Sequence, residues 1–174
     1  IFYGFWRWEF LFLILFSTLL DYSISIKMSQ IGVKDYTRKR LLIFSVMCNL
    51  ILLGYFKYTY FIVDNINLFS NSSIEIGNII HPFGISFYTF ETISYTVDVY
   101  RKIIKAERNL IKYALFVTFF PKLVAGPIQR TSEFLYEVSK ENSFKFDNIF
   151  VGLDRILKGF FLKVVLADNI SVLV

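Results

Sequence analysis

Between Thr118 and Arg130 the chain reads Thr-Phe-Phe-Pro-Lys-Leu-Val-Ala-Gly-Pro-Ile-Gln-Arg, which sets two prolines, a glycine and a lysine in an otherwise apolar run. Proline lacks the backbone donor and stops a helix. In lipid, unsatisfied backbone costs several kcal/mol, so such a break persists only where neighbouring helices or a water-filled cavity satisfy it. The segment therefore predicts a structured, inward-facing break near 118–130. The fold class that accommodates it is all-α, a polytopic transmembrane helix bundle.

Composition supports that class. Of 174 residues, 55% are hydrophobic, 20% aromatic and 19% charged, with a mean hydropathy of +0.53. Soluble domains run at about 45–50% apolar and about 25% charged. The net charge of +5 sits in short clusters between apolar runs. That pattern fits cytoplasmic loops and not a nucleic-acid footprint. Cys48, the single cysteine, can form neither an intramolecular disulfide nor, alone, a thiolate metal site. No metal-ligand spacing occurs. The chain starts at Ile1-Phe-Tyr-Gly-Phe-Trp without a methionine and stops at Ser171-Val-Leu-Val174, and it reads as a fragment forming a single membrane domain over 1–174.

Four spans are expected, at about 10–26, 41–63, 82–100 and 110–126, each near the length a bilayer requires. Lys27, Lys34, Arg38, Lys39 and Arg40, opposed by Asp35 alone, form one basic loop. Arg101, Lys102, Lys105 and Arg108, opposed by Glu107, form another. Both belong on the cytoplasmic side. The stretch 64–81 has no Lys or Arg and reads as an external loop. Lys57 among Tyr55, Tyr58 and Tyr60 reads as an interfacial belt. Pro82 fits a helix start, and Asn109 and Asp147 fit N-caps. The segment 131–148 reads as a mixed-charge connection. The segment 149–167 reads as an amphipathic helix, with Ile149, Leu153, Ile156, Leu157, Phe160 and Val164 on one side.

Charge inside a membrane segment is costly and marks function by default. Glu91, Tyr95, Asp98 and Lys102 fall at i, i+4, i+7 and i+11, one helical face, with Tyr88 a turn earlier and Phe83, Phe87 and Phe90 opposite. The stripe is either the wall of a substrate channel or a hydrogen-bond network that holds helices together. Lys122 either pairs with Glu91 or Asp98, attracts an anionic donor group, or is an interfacial lysine that snorkels. Arg130 is either a bidentate anion ligand or an interface anchor. The channel candidates are thus Glu91, Tyr95, Asp98, Lys122 and Arg130. His81, the sole histidine, precedes Pro82 with no Ser, Asp or Cys arrangement around it and is a poor catalytic base. No Gly-rich phosphate loop, zinc spacing or nucleophile elbow occurs.

Several segments together resemble the membrane-bound O-acyltransferase family. They are Tyr3-Gly-Phe-Trp6 with Asp21-Tyr22; Pro82-Phe-Gly-Ile-Ser-Phe-Tyr-Thr-Phe90 with Ser94-Tyr-Thr-Val-Asp-Val-Tyr-Arg101; Phe116 to Arg130, which resembles the family hallmark; and Gly159-Phe-Phe-Leu-Lys-Val-Val-Leu-Ala-Asp168. The nearest branch holds the alginate O-acetylation proteins, with the D-alanyl transfer proteins of teichoic-acid modification a close relation. The resemblance implies a ring of helices around a funnel, in the plasma (inner) membrane of a bacterium. It implies an acyl thioester (acetyl-CoA or an acyl carrier) as substrate on the cytoplasmic side, with no bound cofactor. It implies an extracellular polysaccharide or cell-wall acceptor, with a soluble or periplasmic acetyltransferase as partner. The family's catalytic histidine is expected on a later helix after an Arg-Trp-His motif, so no catalytic residue is carried over. Glu91 and Lys122 stand where the family pattern leads one to expect glutamine. The rival readings are a transporter or channel, whose broken helices come in pairs, and a non-catalytic membrane scaffold.

Overall fold

The computed structural model describes residues 7–70, 73–75, 77, 79–123, 126, 129–140 and 145–171, and all regular structure among them is helical. Two of the motif segments fall partly outside the described residues. They are Tyr3 to Trp6 and, within the proline-glycine run, Val124, Ala125, Pro127 and Ile128.

Where one domain was expected, the chain divides into two compact units, Ile1–Ser139 and Lys140–Val174. The first is built on three helices: α1 (Glu9–Met28), α2 (Asp35–Ser70) and α3 (Ile85–Tyr100). α1 and α2, at 20 and 36 residues, are each long and apolar enough to cross a membrane. Their buried faces mix polar with apolar residues, while their exposed faces carry large apolar side chains. α1 buries Ser17, Thr18, Asp21 and Ser25 while Phe12, Leu15, Phe16 and Leu19 are exposed. α2 buries Arg38, Ser45 and Asn49 and exposes Ile43, Phe44, Met47 and Ile51. α3 buries Thr89, Glu91, Thr92, Tyr95 and Thr96 and exposes Phe90. Small and polar residues let helix backbones approach and bond one another, and an apolar exterior suits hydrocarbon. Some of the hydroxyls are satisfied locally: Thr18 Oγ1 donates to Ile14 O at 2.7 Å and Thr96 Oγ1 to Thr92 O at 2.8 Å.

α2 carries a wide turn at Gly54–Tyr58 and then continues through Thr59–Ser70. The expected end near 63 is therefore corrected. Residues 64–70 remain helical, and within them Asn65 and Ser70 bond back to the carbonyls of Phe61 and Ile66. The chain then turns where the Asn67 side chain pairs with both backbone groups of Ile74. Pro82 does not open α3. Gly84, at φ +71°, is the N-cap and the helix begins at Ile85, whose N–H bonds Pro82 O.

α4 (Leu110–Thr118) starts as read, with Asn109 Oδ1 accepting from the N–H groups of Ile111 (2.9 Å) and Lys112 (3.2 Å). It ends at Thr118, well short of 126. Phe119 is extended (φ −64°, ψ 102°) and a single turn, α5 (Phe120–Leu123), follows. The break precedes Pro121, so the proline falls in the first turn of α5, where its missing N–H costs nothing. The stretch read as a connection contains α6 (Thr131–Ser139). Phe134 on α6 stacks near Phe116 and Phe119, with centroids 5.6 and 5.1 Å apart.

The second unit is one helix, α7, running through Phe146–Phe160, a wide-turn stretch Phe161–Ala167 and Asp168–Ser171. Lys145 stands at its cap position. Asp147 lies in the first turn and favours the helix dipole there instead of capping it. Asp154 and Lys158 pair at 2.6 Å, one turn apart.

Two glycines seat α5 on the bundle. A Cβ at Gly84 would strike the Leu123 carbonyl, and one at Gly126 would strike the Lys122 Cα. Gly84→Ala adds the left-handed penalty of roughly 1–2 kcal/mol to that clash. Thermal unfolding in detergent should show Gly84→Ala destabilised by at least that amount. Gly54→Ala, which meets nothing within 4 Å, should leave stability unchanged or raised. Equal melting of the two variants would dismiss the close-approach account.

Candidate functional site

The break brings Lys122 back against α3. Its Nζ lies 3.1 Å from Glu91 Oε2, with both side chains about nine-tenths or more buried. The contact is an ion pair rather than a well-aligned hydrogen bond. The ammonium also sits 3.9 Å from the Phe116 ring centroid and 4.5 Å from that of Phe134, a cation–π sandwich. The snorkelling alternative for Lys122 is thereby excluded. α5 is too short and too closely packed for the amine to reach an interface, and the carboxylate beside it removes the reason to do so. Burying two charges is expensive, and the mutual attraction offsets that cost only while both are present.

The other candidates lie elsewhere. Tyr95 is fully buried. Its ring packs on Tyr113 (4.7 Å) and Phe116 (6.5 Å), and its hydroxyl accepts the Glu107 N–H at 3.0 Å. It ties the loop after α3 to the bundle. Asp98 is half-buried, and its carboxylate has no side-chain partner among the described residues. Arg130 is exposed. Its carbonyl accepts the N–H groups of Glu133 and Phe134 at the start of α6, and its guanidinium has no partner among the described residues. His81 is exposed and stacks on Tyr60, with centroids 6.3 Å apart and an interplanar angle of 11°. Tyr60 in turn accepts the Ile79 N–H at 2.7 Å. Of the stripe, then, Glu91 is joined by Lys122, while Asp98 and Arg130 stand apart from that pair. Among the described residues no group of three His, Cys, Asp or Glu side chains is placed to hold a metal ion.

A second polar centre escaped the sequence reading. Asp21 is wholly buried between α1, α2 and α3. Ser45 Oγ donates to its Oδ1 at 2.6 Å, and Asn49 Nδ2 reaches Oδ1 at 3.1 Å and Oδ2 at 2.9 Å. Thr92 Oγ1 extends the network to Asn49 Oδ1 at 3.4 Å. The signal was present. An aspartate interrupts the first span, and a serine and an asparagine stand one turn apart in the second. Reading 41–56 only for absent charge hid those two donors. Arg38, near the start of α2, is likewise buried. It donates to the Tyr100 carbonyl at 2.6 Å and the Val99 carbonyl at 3.4 Å, which satisfies the C-terminal end of α3.

Known proteins resemble this chain over nearly its whole length. The chain is 40% identical over 177 residues to the probable alginate O-acetylase AlgI of Pseudomonas aeruginosa, covering 99% of this chain and 34% of that protein. It is 35% identical over 195 residues to the peptidoglycan O-acetyltransferase of Helicobacter pylori, covering 97% of this chain and 37% of that one. It is 28% identical over 96 residues, 54% of this chain and 24% of the relative, to the teichoic acid D-alanyltransferase of Bacillus subtilis. The chain thus spans about a third of the length of the first two relatives. No family model and no solved structure matches it.

Two substitution sets test the buried centres. Glu91→Gln or Lys122→Gln alone leaves one buried charge unpaired and should cost about 3–5 kcal/mol. The double variant should recover most of that loss, as read by denaturation in detergent. Additive losses would dissolve the pair. Asp21→Ala strands the Ser45 and Asn49 donors and should cost about 1–3 kcal/mol for each group left unsatisfied. A variant as stable as the parent would show that water replaces the carboxylate without loss.

Proposed function

We propose, on the premise that this chain belongs with the alginate O-acetylases of the membrane-bound O-acyltransferase type, that the complete protein is a bacterial membrane enzyme. It transfers an acetyl or similar acyl group toward an extracellular polysaccharide or cell-wall polymer. The observation that carries this reading is the relation, at 35–40% identity over 97–99% of the chain, to proteins named for O-acetylation. The relation to a D-alanyltransferase is weaker and covers about half the chain, so acetyl transfer is preferred to D-alanyl transfer.

In such a reaction the acyl carbon–sulfur bond of a thioester breaks and an ester carbon–oxygen bond to an acceptor hydroxyl forms. The hydroxyl proton passes to a general base and the departing thiolate is reprotonated. The donor, acetyl-CoA or an acylated carrier, is a substrate and not a resident cofactor. The residues described here act on the enclosure. Glu91 and Lys122 fix the broken helix against α3, Asp21 locks three helices together, and Arg38 closes the end of α3. The protein is multi-pass in the plasma membrane, with the loops at 29–34 and 101–109 on the cytoplasmic side. The acyl group is handed outward, to the acceptor or to a periplasmic or extracellular partner transferase.

Deleting the gene should strip O-acetyl esters from the surface polymer of its host, and the intact gene should restore them. Ester content that persists in the deletion strain would reject the assignment. Within the enzyme, Asp98 is the informative position because its carboxylate supports no other side chain among the described residues. Asp98→Ala should lower polymer acetylation several-fold while membrane insertion and melting temperature hold. Undiminished transfer would remove Asp98 and its stripe from the functional account.

A further inference from the structure

The loops that follow α1 and α3 lie about seventy residues apart in sequence, yet they converge on one cleft of about 1050 Å³. Four cationic side chains line it, from Arg38, Lys102, Lys105 and Arg108, against the two carboxylates of Asp35 and Glu107. Both carboxylates are already engaged. Asp35 Oδ1 lies 3.4 Å from Arg38 Nη1, and Glu107 Oε1 accepts the Asn109 N–H at 2.8 Å. The side chains of Lys102, Lys105 and Arg108 have no partner among the described residues. The carbonyls that end α3, which would repel an anion, are occupied by Arg38 and by local backbone bonds. Arg38 Nε is buried and has no acceptor among the described residues.

The backbone adds a further observation. α3 closes with the Lys102 N–H on Val99 O (3.1 Å) and the Ile103 N–H on Asp98 O (3.0 Å). This terminus places the residue after the cap in the left-handed region, where glycine is the usual occupant. Here the residue is Lys102, at φ 61°. The chain therefore carries a cation at a strained position on the rim of a cleft already rich in cations.

The geometry points to an anion-binding cleft at the cytoplasmic end of the first unit, built for clustered phosphate such as a pyrophosphate group. Four cations against two carboxylates leave two positive charges in excess, which match a compact, multiply charged oxyanion better than a single carboxylate. The phosphate can come from a soluble molecule or from an anionic lipid headgroup. On the acyl-transfer reading, and resting on it, the soluble source is the phosphate-bearing part of the thioester donor. The anion site itself does not depend on that reading.

The test uses the complete protein in nanodiscs of phosphatidylcholine, titrated calorimetrically with inorganic pyrophosphate. Saturable binding is expected. It should weaken at least about tenfold in Lys102→Gly and in Lys105→Gln/Arg108→Gln, since each lost charge-assisted bond removes a decade or more. Lys102→Gly relieves the left-handed strain, so its melting temperature should hold or rise and misfolding is not available as an explanation. Lys39→Gln, an exposed cation of the first basic loop that does not line the cleft, should bind as the parent does. If pyrophosphate does not bind but phosphatidylglycerol is retained in native mass spectra and lost in the cleft variants, the site stands and its source is lipid. Failure to bind either probe, or equal weakening by Lys39→Gln, overturns it. Polymer acetylation measured on the same variants is a separate readout. Lost binding with intact acetylation keeps the anion site and detaches it from the donor.

Discussion

An apolar exterior obliges the first unit to resolve every buried charge and every broken backbone bond internally, and the Glu91–Lys122 pair is where both obligations meet. The chain stops α4 at Thr118 and restarts at Phe120, after the single extended residue Phe119. That interruption would drift if packing alone held it. The ammonium of Lys122, set between the Phe116 and Phe134 rings and against the Glu91 carboxylate, fixes α5 to α3, α4 and α6 at once. The contact is specific in both charge and shape. Gly84 and Gly126 provide the space in which it forms.

The same logic governs Asp21. A wholly buried carboxylate held by Ser45 and Asn49 is a directional link between helices that apolar packing cannot supply in lipid, where hydrocarbon competes equally for apolar surface. Arg38 performs the corresponding task at the opposite kind of terminus, supplying donors to the carbonyls that α3 leaves unpaired. These three centres divide the bundle by depth. Arg38 serves the end carrying the basic loops, while Asp21 and Glu91 serve the helix interiors.

Much of this was legible in the residues, for identifiable reasons. The two long apolar helices followed from long uncharged runs, and the cap at Asn109 followed from a residue whose side chain reaches its own helix. The interruption near Pro121 followed from the missing backbone donor. What was not legible depended on partners distant in sequence. Whether Lys122 snorkels or pairs is decided by where α3 lies, and local sequence does not contain that. Asp21 looked like an interruption because its donors come from a helix more than twenty residues away. The end of α2 was misplaced because Asn and Ser, which normally argue for a loop, here bond back to their own helix. The start of α3 was misplaced because Gly84 took the cap that Pro82 was expected to provide.

The length of α2 has a mechanical consequence. At 36 residues it measures about 54 Å, against a hydrocarbon core of about 30 Å. A helix of that length either outreaches the hydrocarbon core or crosses it at a tilt. The returning chain is moored to it at Tyr60, through Gly77 and Ile79, well below the tip. The final turns to Ser70 thus extend the helix beyond that mooring, tied back by the Asn67 side chain to Ile74.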